Sequence, residues 1–148
     1  MPETLELFVE RLDQTIPLPQ YAYPGDAGLD LRAGCDCTLL PEERAPIPTT
    51  LRVSIPEGYA GFVLPRSGLA AQSGLSLVNT PGLIDSQYRG EVTVLAINHD
   101  TNEPIEIKKG DRIAQLVILP IPLIKLIEVR ELDKTERNEK GFGSSGAQ

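Results

Sequence analysis

Four polar islands interrupt an otherwise alternating, apolar chain of 148 residues, and each carries groups able to handle a phosphorylated ligand. PGDAGLD sets Asp26 and Asp30 among glycines, and PRSGLA presents Arg66, Ser67 and Gly68 ahead of the one stretch rich in helix formers. NTPGLIDSQYRGE gathers Asn79, Asp85, Tyr88, Arg89 and Glu91 around a turn, and GDRIAQL offers Asp111, Arg112 and Gln115. Carboxylates are hard oxygen donors suited to Mg2+, which keeps much of its own water and needs only one or two of them. An arginine, a hydroxyl and backbone N–H groups at a helix start can face one anion. Taken singly, each island has a plainer use. Asp85 could brace its own turn, PRSGLA could simply open a helix, and Gln115 could make an edge hydrogen bond. Taken together, they describe a polyphosphate site. There is no GxxxxGK[ST] loop, and the single His99 gives no convincing Ser–His or Cys–His pair, so water is the expected nucleophile.

The chain closes on RNEKGFGSSGAQ, in which one aromatic, Phe142, stands among glycine, serine and charge. Such composition ordinarily marks a disordered end. Gly141, Gly143 and Gly146 imitate the GxGxxG dinucleotide spacing, but no strand precedes them and no helix can follow, so the match is false. An aromatic where no core can form still needs a reason.

These groups must be positioned by something rigid. Gly and Pro, 13 of each, punctuate many short elements, and alternation far outweighs helical spacing, so an all-β sandwich or barrel of one domain is expected. Strands are expected at 5–9, in LDLRA, at 51–55 and 59–65 (joined as a hairpin by PEG), at 75–79 and 91–98, in EPIEI, and at 112–119 and 123–129. TPGLIDSQYRG reads as a long turn, and 66–74 as the one short helix, closed by Gly74. The last apolar segments, ILPIPLIKLIEV, hold more apolar residues than one half-buried sheet needs, which points to a subunit interface. After Glu131 apolar content collapses, dividing 1–131, a folded unit, from 132–148, a tail.

The formal net charge is −7, which argues against polynucleotide backbones and anionic membranes as partners. MPETLELFVE has neither a basic stretch nor an apolar run, so no signal peptide is expected, and no apolar run reaches membrane-span length. Cys35 and Cys37, two residues apart, are expected as reduced thiols in a strand or turn of a cytoplasmic protein.

The five segments AYPGDAGLDLRA, PRSGLA, NTPGLIDSQYRGE, GDRIAQL and RNEKGFGSSG, in this order from about Leu5 to Gly146, resemble the five motifs of the homotrimeric dUTPases. One such motif is a modest signal; five in order are highly specific. The resemblance implies a jelly-roll, β-barrel-like protomer with a flexible C-terminal arm, and a trimer whose three active sites are each built from all three chains. It implies hydrolysis of dUTP to dUMP and pyrophosphate, keeping uracil out of DNA and supplying dUMP for thymidylate. Asp85 would be the general base acting on a water aimed at the α-phosphorus, and Asp30 would hold Mg2+ through its water shell. Arg66, Ser67 and Gly68 would contact the phosphates, assisted by Gln115. Uracil would be read by Gly82, Leu83, Ile84 and Asp85 with help from Asn79, a tight hairpin that also excludes thymine. Tyr88 would pack on the deoxyribose, and Thr93 would touch the ligand. Phe142 would stack on the uracil while Arg137 reaches the γ-phosphate and Gly143, Ser144 and Ser145 complete a lid. Asn138 and Lys140 stand where the family's tail usually carries glycine, and Gln87 where the hairpin more often has glycine or an acidic residue. The competing expectations are a dCTP deaminase or its bifunctional relative, with Glu91 as acid/base, and a non-catalytic nucleotide-binding module.

Overall fold

A computed structural model describes residues 3–147; Met1, Pro2 and Gln148, which the expected limits 1–131 and 132–148 include, lie outside the described residues. Strands account for nearly all regular structure: β1 (Phe8–Arg11), β2 (Leu29–Arg32), β3 (Cys37–Leu39), β4 (Arg44–Ser54), β5 (Tyr59–Leu64), β6 (Leu75–Leu77), β7 (Gly82–Ile84), β8 (Glu91–Asn98), β9 (Ile105–Ile107) and β10 (Arg112–Pro120). The one helix, α1 (Ser67–Ser73), ends on Gly74 at φ 73, a left-handed cap that glycine adopts without penalty. The expected all-β jelly-roll with one short helix is what the chain forms.

Two four-stranded antiparallel sheets, ordered β1-β4-β8-β6 and β2-β10-β5-β7, enclose the core, and β3 pairs with β9 as a separate ladder. Alternation does the sorting: in β8, Val92, Val94, Ala96 and Asn98 are buried while Thr93 and Leu95 face out. Leu31, Leu39, Ile47, Val94, Ile113 and Leu116 are almost wholly inaccessible. Two buried polar side chains are fully engaged, as burial requires. Thr49 Oγ1 donates to the Val92 carbonyl at 2.6 Å. Asn98 Nδ2 donates to the Leu39 and Glu103 carbonyls, and its Oδ1 accepts from the Asp100 amide.

Several expected elements differ. The pair 51–55 and 59–65 is not a hairpin: β4 and β5 belong to opposite sheets. The Pro56–Gly58 turn, closed by Tyr59 N to Pro56 O at 3.1 Å, carries the chain across the sandwich so that each strand buries its apolar side against the other sheet. The first strand begins at Phe8 rather than residue 5 because Phe8 faces Ser54, the last residue of β4, and residues 5–7 find no partner there. β4 itself starts at Arg44, running through Pro46 and Pro48. Within a strand a residue's N–H and C=O point to the same side, and the Pro48 carbonyl accepts from Gly34 N at 2.7 Å rather than from β8. Both prolines therefore turn their missing N–H away from β8, on a stretch β1 does not cover, where no ladder bond is lost. The turn TPGLIDSQYRG hides β7, and 123–129 forms no strand. Its residues are largely apolar, but Leu123 is 100% exposed and Leu126 90%, with no ladder partner among the described residues.

The N-terminal segment is pinned to the β9–β10 turn. Asp13 accepts from Lys109 Nζ at 2.7 Å and from the Thr15 amide and hydroxyl at 2.8 and 2.6 Å, while Asp36 holds the Lys109 amide at 2.8 Å. The Lys109 bond, with those from Thr15, holds the Asp13 carboxyl well below the usual carboxylate range. A folded-state pKa below the unfolded one gives stability that is full above the ordinary value and lost as pH falls through the lowered one. Lys109→Met is expected to lower the melting temperature most at neutral pH, with the gap to wild type closing on acidification to about pH 2. Thermal melts across that range check it; a gap independent of pH would refute the assignment.

Candidate active site

The first cluster is built on β7 and the loop leading into β8. β7 buries Gly82 and Ile84 and turns Leu83 outward. The loop that follows is closed by the Asp85 carbonyl, which accepts from Tyr88 N at 3.1 Å, and by Arg89, which donates to the Ser86 and Tyr88 carbonyls at 2.7 and 3.1 Å. The Asp85 carboxylate takes no part in these bonds, so the turn does not consume it. Asn79, Gly82, Leu83, Ile84, Asp85, Tyr88 and Thr93 line one pocket of about 310 Å³, floored by Val63, Leu77 and Val92. The seven residues assigned from this region thus come together.

The second cluster lies where β2, β10 and the start of α1 meet. Asp30 and Gln115 face each other across the β2–β10 ladder. The Asp30 carboxylate, 15% exposed, lies 3.4 Å from Arg66 Nε and 3.4 Å from an Arg112 guanidinium nitrogen. Arg66 also donates to the Arg112 carbonyl at 3.1 Å. No side-chain hydrogen bond caps α1, so Ser67 is not spent on opening the helix. Gln115 is no edge residue: β10 is an inner strand, and the amide donates to the Pro65 carbonyl at 2.9 Å, holding the loop that carries Arg66 to Gly68. Asp30, Arg66, Ser67, Gly68 and Gln115 line a second pocket of about 310 Å³ together with Tyr23, Asp26 and Gly28. The two pockets share no lining residue.

The second pocket suits a cation that arrives with its anion. Its lining sets two carboxylates against one guanidinium, so on charge alone it disfavours a bare triphosphate. Both Asp30 oxygens already face arginines, which leaves contact through water as its natural mode. Among the described residues no group of three or more His, Cys, Asp or Glu forms a self-sufficient metal cage. Mg2+, usually held by one or two carboxylates plus substrate phosphates, fits this donor set.

The tail reaches neither pocket. Phe142 is fully exposed, and Arg137 donates to the Lys140 and Gly141 carbonyls at 2.8 and 3.4 Å. Ser144 N bonds Gly141 O, and Gly146 N bonds Gly143 O, so these are local turns. Asn138 sits at φ 50, in the left-handed region where asparagine is among the better-tolerated residues after glycine. Reciprocal bonds between Thr135 and Asn138, at 2.9 and 3.0 Å, hold it there. Cys35 and Cys37 are free thiols, as expected; burial pushes the Cys37 thiol up, with Cys35 and Glu43 adding to it, which keeps it protonated. Sequence reading missed the contributions of Gly28 and Gly90, whose lack of a side chain gives room to Gln115 and Tyr88. Both glycines stood inside the quoted motifs, but only the neighbour across the fold reveals why.

Polar loops carried on the rims of two facing antiparallel sheets define the class, an all-β jelly-roll protomer. A family model described as dUTPase matches residues 14–146. The chain is 50% identical over 142 residues to the deoxyuridine 5'-triphosphate nucleotidohydrolase of Streptomyces avermitilis, covering 96% of this chain and 81% of that protein. It is 49% identical over 146 residues to the protein of the same name from Corynebacterium glutamicum, covering 99% and 98%. Among solved structures, Staphylococcus bacteriophage 80alpha dUTPase with dUPNHPP matches at a TM-score of 0.88 and 35% identity, covering 97% of this chain and 99% of that one. A mutant dUTPase from phage phi11 of S. aureus, described with a coordinated structural Mg(II) ion, matches at 0.79 and 30% identity, covering 86% and 98%. The chain belongs to the dUTPase family.

A Cβ at Gly28 would overlap Gln115 Oε1 and lie 3.1 Å from its Cβ and Cδ. Gly28→Ala is expected to swing the amide off Pro65 and cost about 1 kcal/mol, roughly fivefold, in affinity for a non-hydrolysable nucleotide. Calorimetric titration reads this directly, and unchanged affinity would show that Gln115 does not support the second pocket.

Proposed function

We propose that this protein hydrolyses dUTP to dUMP and pyrophosphate in the cytoplasm. The observation that carries the proposal is the pocket in which Asp85, its carboxylate not used by the turn, stands beside Gly82, Ile84, Tyr88 and Asn79 in a chain of the dUTPase family. Main-chain groups of Gly82 to Asp85, with Asn79, pair with the uracil edge. Cytosine presents an amine where uracil has a carbonyl and would leave buried groups unpaired, a costly mismatch. The thymine methyl meets the hairpin. Tyr88 packs on the deoxyribose, and Thr93 borders the same pocket.

Asp85 orients a water and takes its proton as the oxygen attacks the α-phosphorus. The bond from that phosphorus to the bridging oxygen breaks, and pyrophosphate leaves with the electron pair. A carboxylate is a weak base, so holding the water in line supplies much of the effect. Arg66, the Ser67 hydroxyl and Gly68 hold the phosphates, Gln115 fixes their loop, and Asp30 would hold Mg2+ through water. When bound, Mg2+ offsets phosphate charge and polarises the phosphoryl oxygens.

The base-reading and phosphate-holding residues line separate pockets on one protomer, which supports a site completed by other copies of the chain. The apolar residues exposed from Ile121 to Leu132 support an assembly that covers them. The assembly we propose is a homotrimer with three shared sites. The tail, 132–148, folds as a lid from a barrel spanning 1–131: Phe142 stacks on uracil, Arg137 meets the γ-phosphate, and Gly143, Ser144 and Ser145 close over the ligand. With dUTP removed, uracil stays out of DNA, and dUMP becomes available for thymidylate. Neither nucleic acid nor membrane is a partner in this reading; no helix among the described residues is long and apolar enough to cross a membrane.

Deamination of dCTP would ask Glu91 to work at the base as acid and base. Its carboxylate instead accepts the Thr50 amide at 2.9 Å, which supports the hydrolase. Asp85→Asn separates an enzyme from a binding module: kcat is expected to fall by about 10²–10⁴-fold with nucleotide affinity kept. Pyrophosphate release from dUTP, dCTP, dTTP and UTP, with and without Mg2+, tests the rest; ammonia from dCTP or silence across the panel would overturn the reading. Leu123→Asp with Leu126→Asp is expected to reduce the particle from three chains to one, measured by light scattering, and to abolish turnover.

A further inference from the structure

Gly90 is unexplained by its own backbone, since its φ lies outside the left-handed region that favours glycine. What distinguishes it is its neighbour. A Cβ at Gly90 would stand 2.5 Å from Tyr88 Cζ and 2.9 Å from Cε2, and closer still to the hydroxyl oxygen. The phenol ring therefore occupies the space that any side chain at position 90 would need. The same hydroxyl donates to the carbonyl of the next residue, Glu91, at 3.0 Å. Glu91 is itself tied down: its carboxylate accepts the amide of Thr50, a residue at φ 60 in the irregularity that β4 makes between Pro48 and Arg52. The ring is thus seated on a bare α-carbon and fixed at its tip by a strand end that is tethered across the sheet.

We propose that Gly90 is a specificity-determining positioning residue that sets the Tyr88 ring against the sugar of the nucleotide. This rests on the reading of Tyr88 as the deoxyribose contact. A methyl group at position 90 pushes the ring off its seat, and because the ring itself walls that side of the pocket, the wall moves with it. Loss of sugar discrimination follows, while the carboxylate of Asp85 and the groups of the second pocket stay where they are. The signature is a change in relative kcat/KM for dUTP and UTP, with the effect on dUTP mainly in KM.

The experiment compares wild type, Gly90→Ala, Tyr88→Ala and the double variant with both nucleotides, with a thermal melt for each. The expected result is that Gly90→Ala lowers the dUTP-to-UTP preference at least tenfold and adds nothing once Tyr88 is already alanine. If Tyr88→Ala leaves the preference unchanged, the sugar contact itself is wrong. If Tyr88→Ala erodes the preference but Gly90→Ala does not, the contact stands and the role of Gly90 falls. Should Gly90→Ala fail to fold, the double variant decides: folding restored by removing the ring supports the seat, and a double variant that is also unfolded overturns it.

Discussion

The register of β10 between its two neighbours governs the half of this molecule that carries Asp30, Arg66 and Gln115. Gln115 is opposed by Asp30 on β2 and by Leu64 on β5, one residue before the loop that presents Arg66. Strand side chains alternate between faces, so a slip of one residue would send Gln115 into the core and Leu116 out of it. Leu116 is buried between the sheets, and its apolar cost makes that slip prohibitive. Apolar burial thus places the polar residues, and Asp30 then needs only its two arginines to be held in a defined orientation. The register breaks between Arg112 and Ala114, which lets Arg112 turn back toward Asp30 while Ile113 and Ala114 stay buried.

Much of this was legible in the sequence because motif and alternation report local facts. The five motif segments named the family, the alternation of 91–98 named a strand with one buried face, and Gly74 named the helix end. What failed was partnership. Residues 51–55 and 59–65 carry every local mark of a hairpin, yet the choice of pairing within a sheet or crossing between sheets depends on which apolar faces meet, and no local pattern encodes that. The strand expected at 51–55 begins at Arg44 and tolerates Pro46 and Pro48, because a missing N–H matters only if a neighbour lies on that side. The segment 123–129 is apolar enough for a strand but has nothing to pair with among the described residues. In the two pockets, the polar side chains that line them were legible and the glycines that make room for Gln115 and Tyr88 were not, since room is a property of the neighbour.

Electrostatically the chain solves an awkward problem. A protein of net charge −7 that takes up a polyanion must concentrate its cations where they count and let the rest of its surface repel non-specific polyanions. The pocket of Asp26, Asp30 and Arg66 does not do so by charge alone; its cation is an arginine rather than a lysine, and a planar guanidinium can hold a carboxylate on one edge while leaving other N–H donors free. Asp30 lies 3.4 Å from both Arg66 and Arg112, so these two charges are held in a defined orientation by the protein itself.

The prolines of β4 have a consequence for life in a crowded solution. An uncovered strand edge ordinarily recruits any extended segment that drifts past, and sheets grow into insoluble aggregates that way. Along 44–48 this edge offers no N–H at two alternate positions, and the Pro48 carbonyl is already taken by Gly34 N, so an incoming strand would find too few partners to complete a ladder. A chain that also exposes a run of apolar residues from Ile121 to Leu132 is thereby kept from pairing indiscriminately with its own flank.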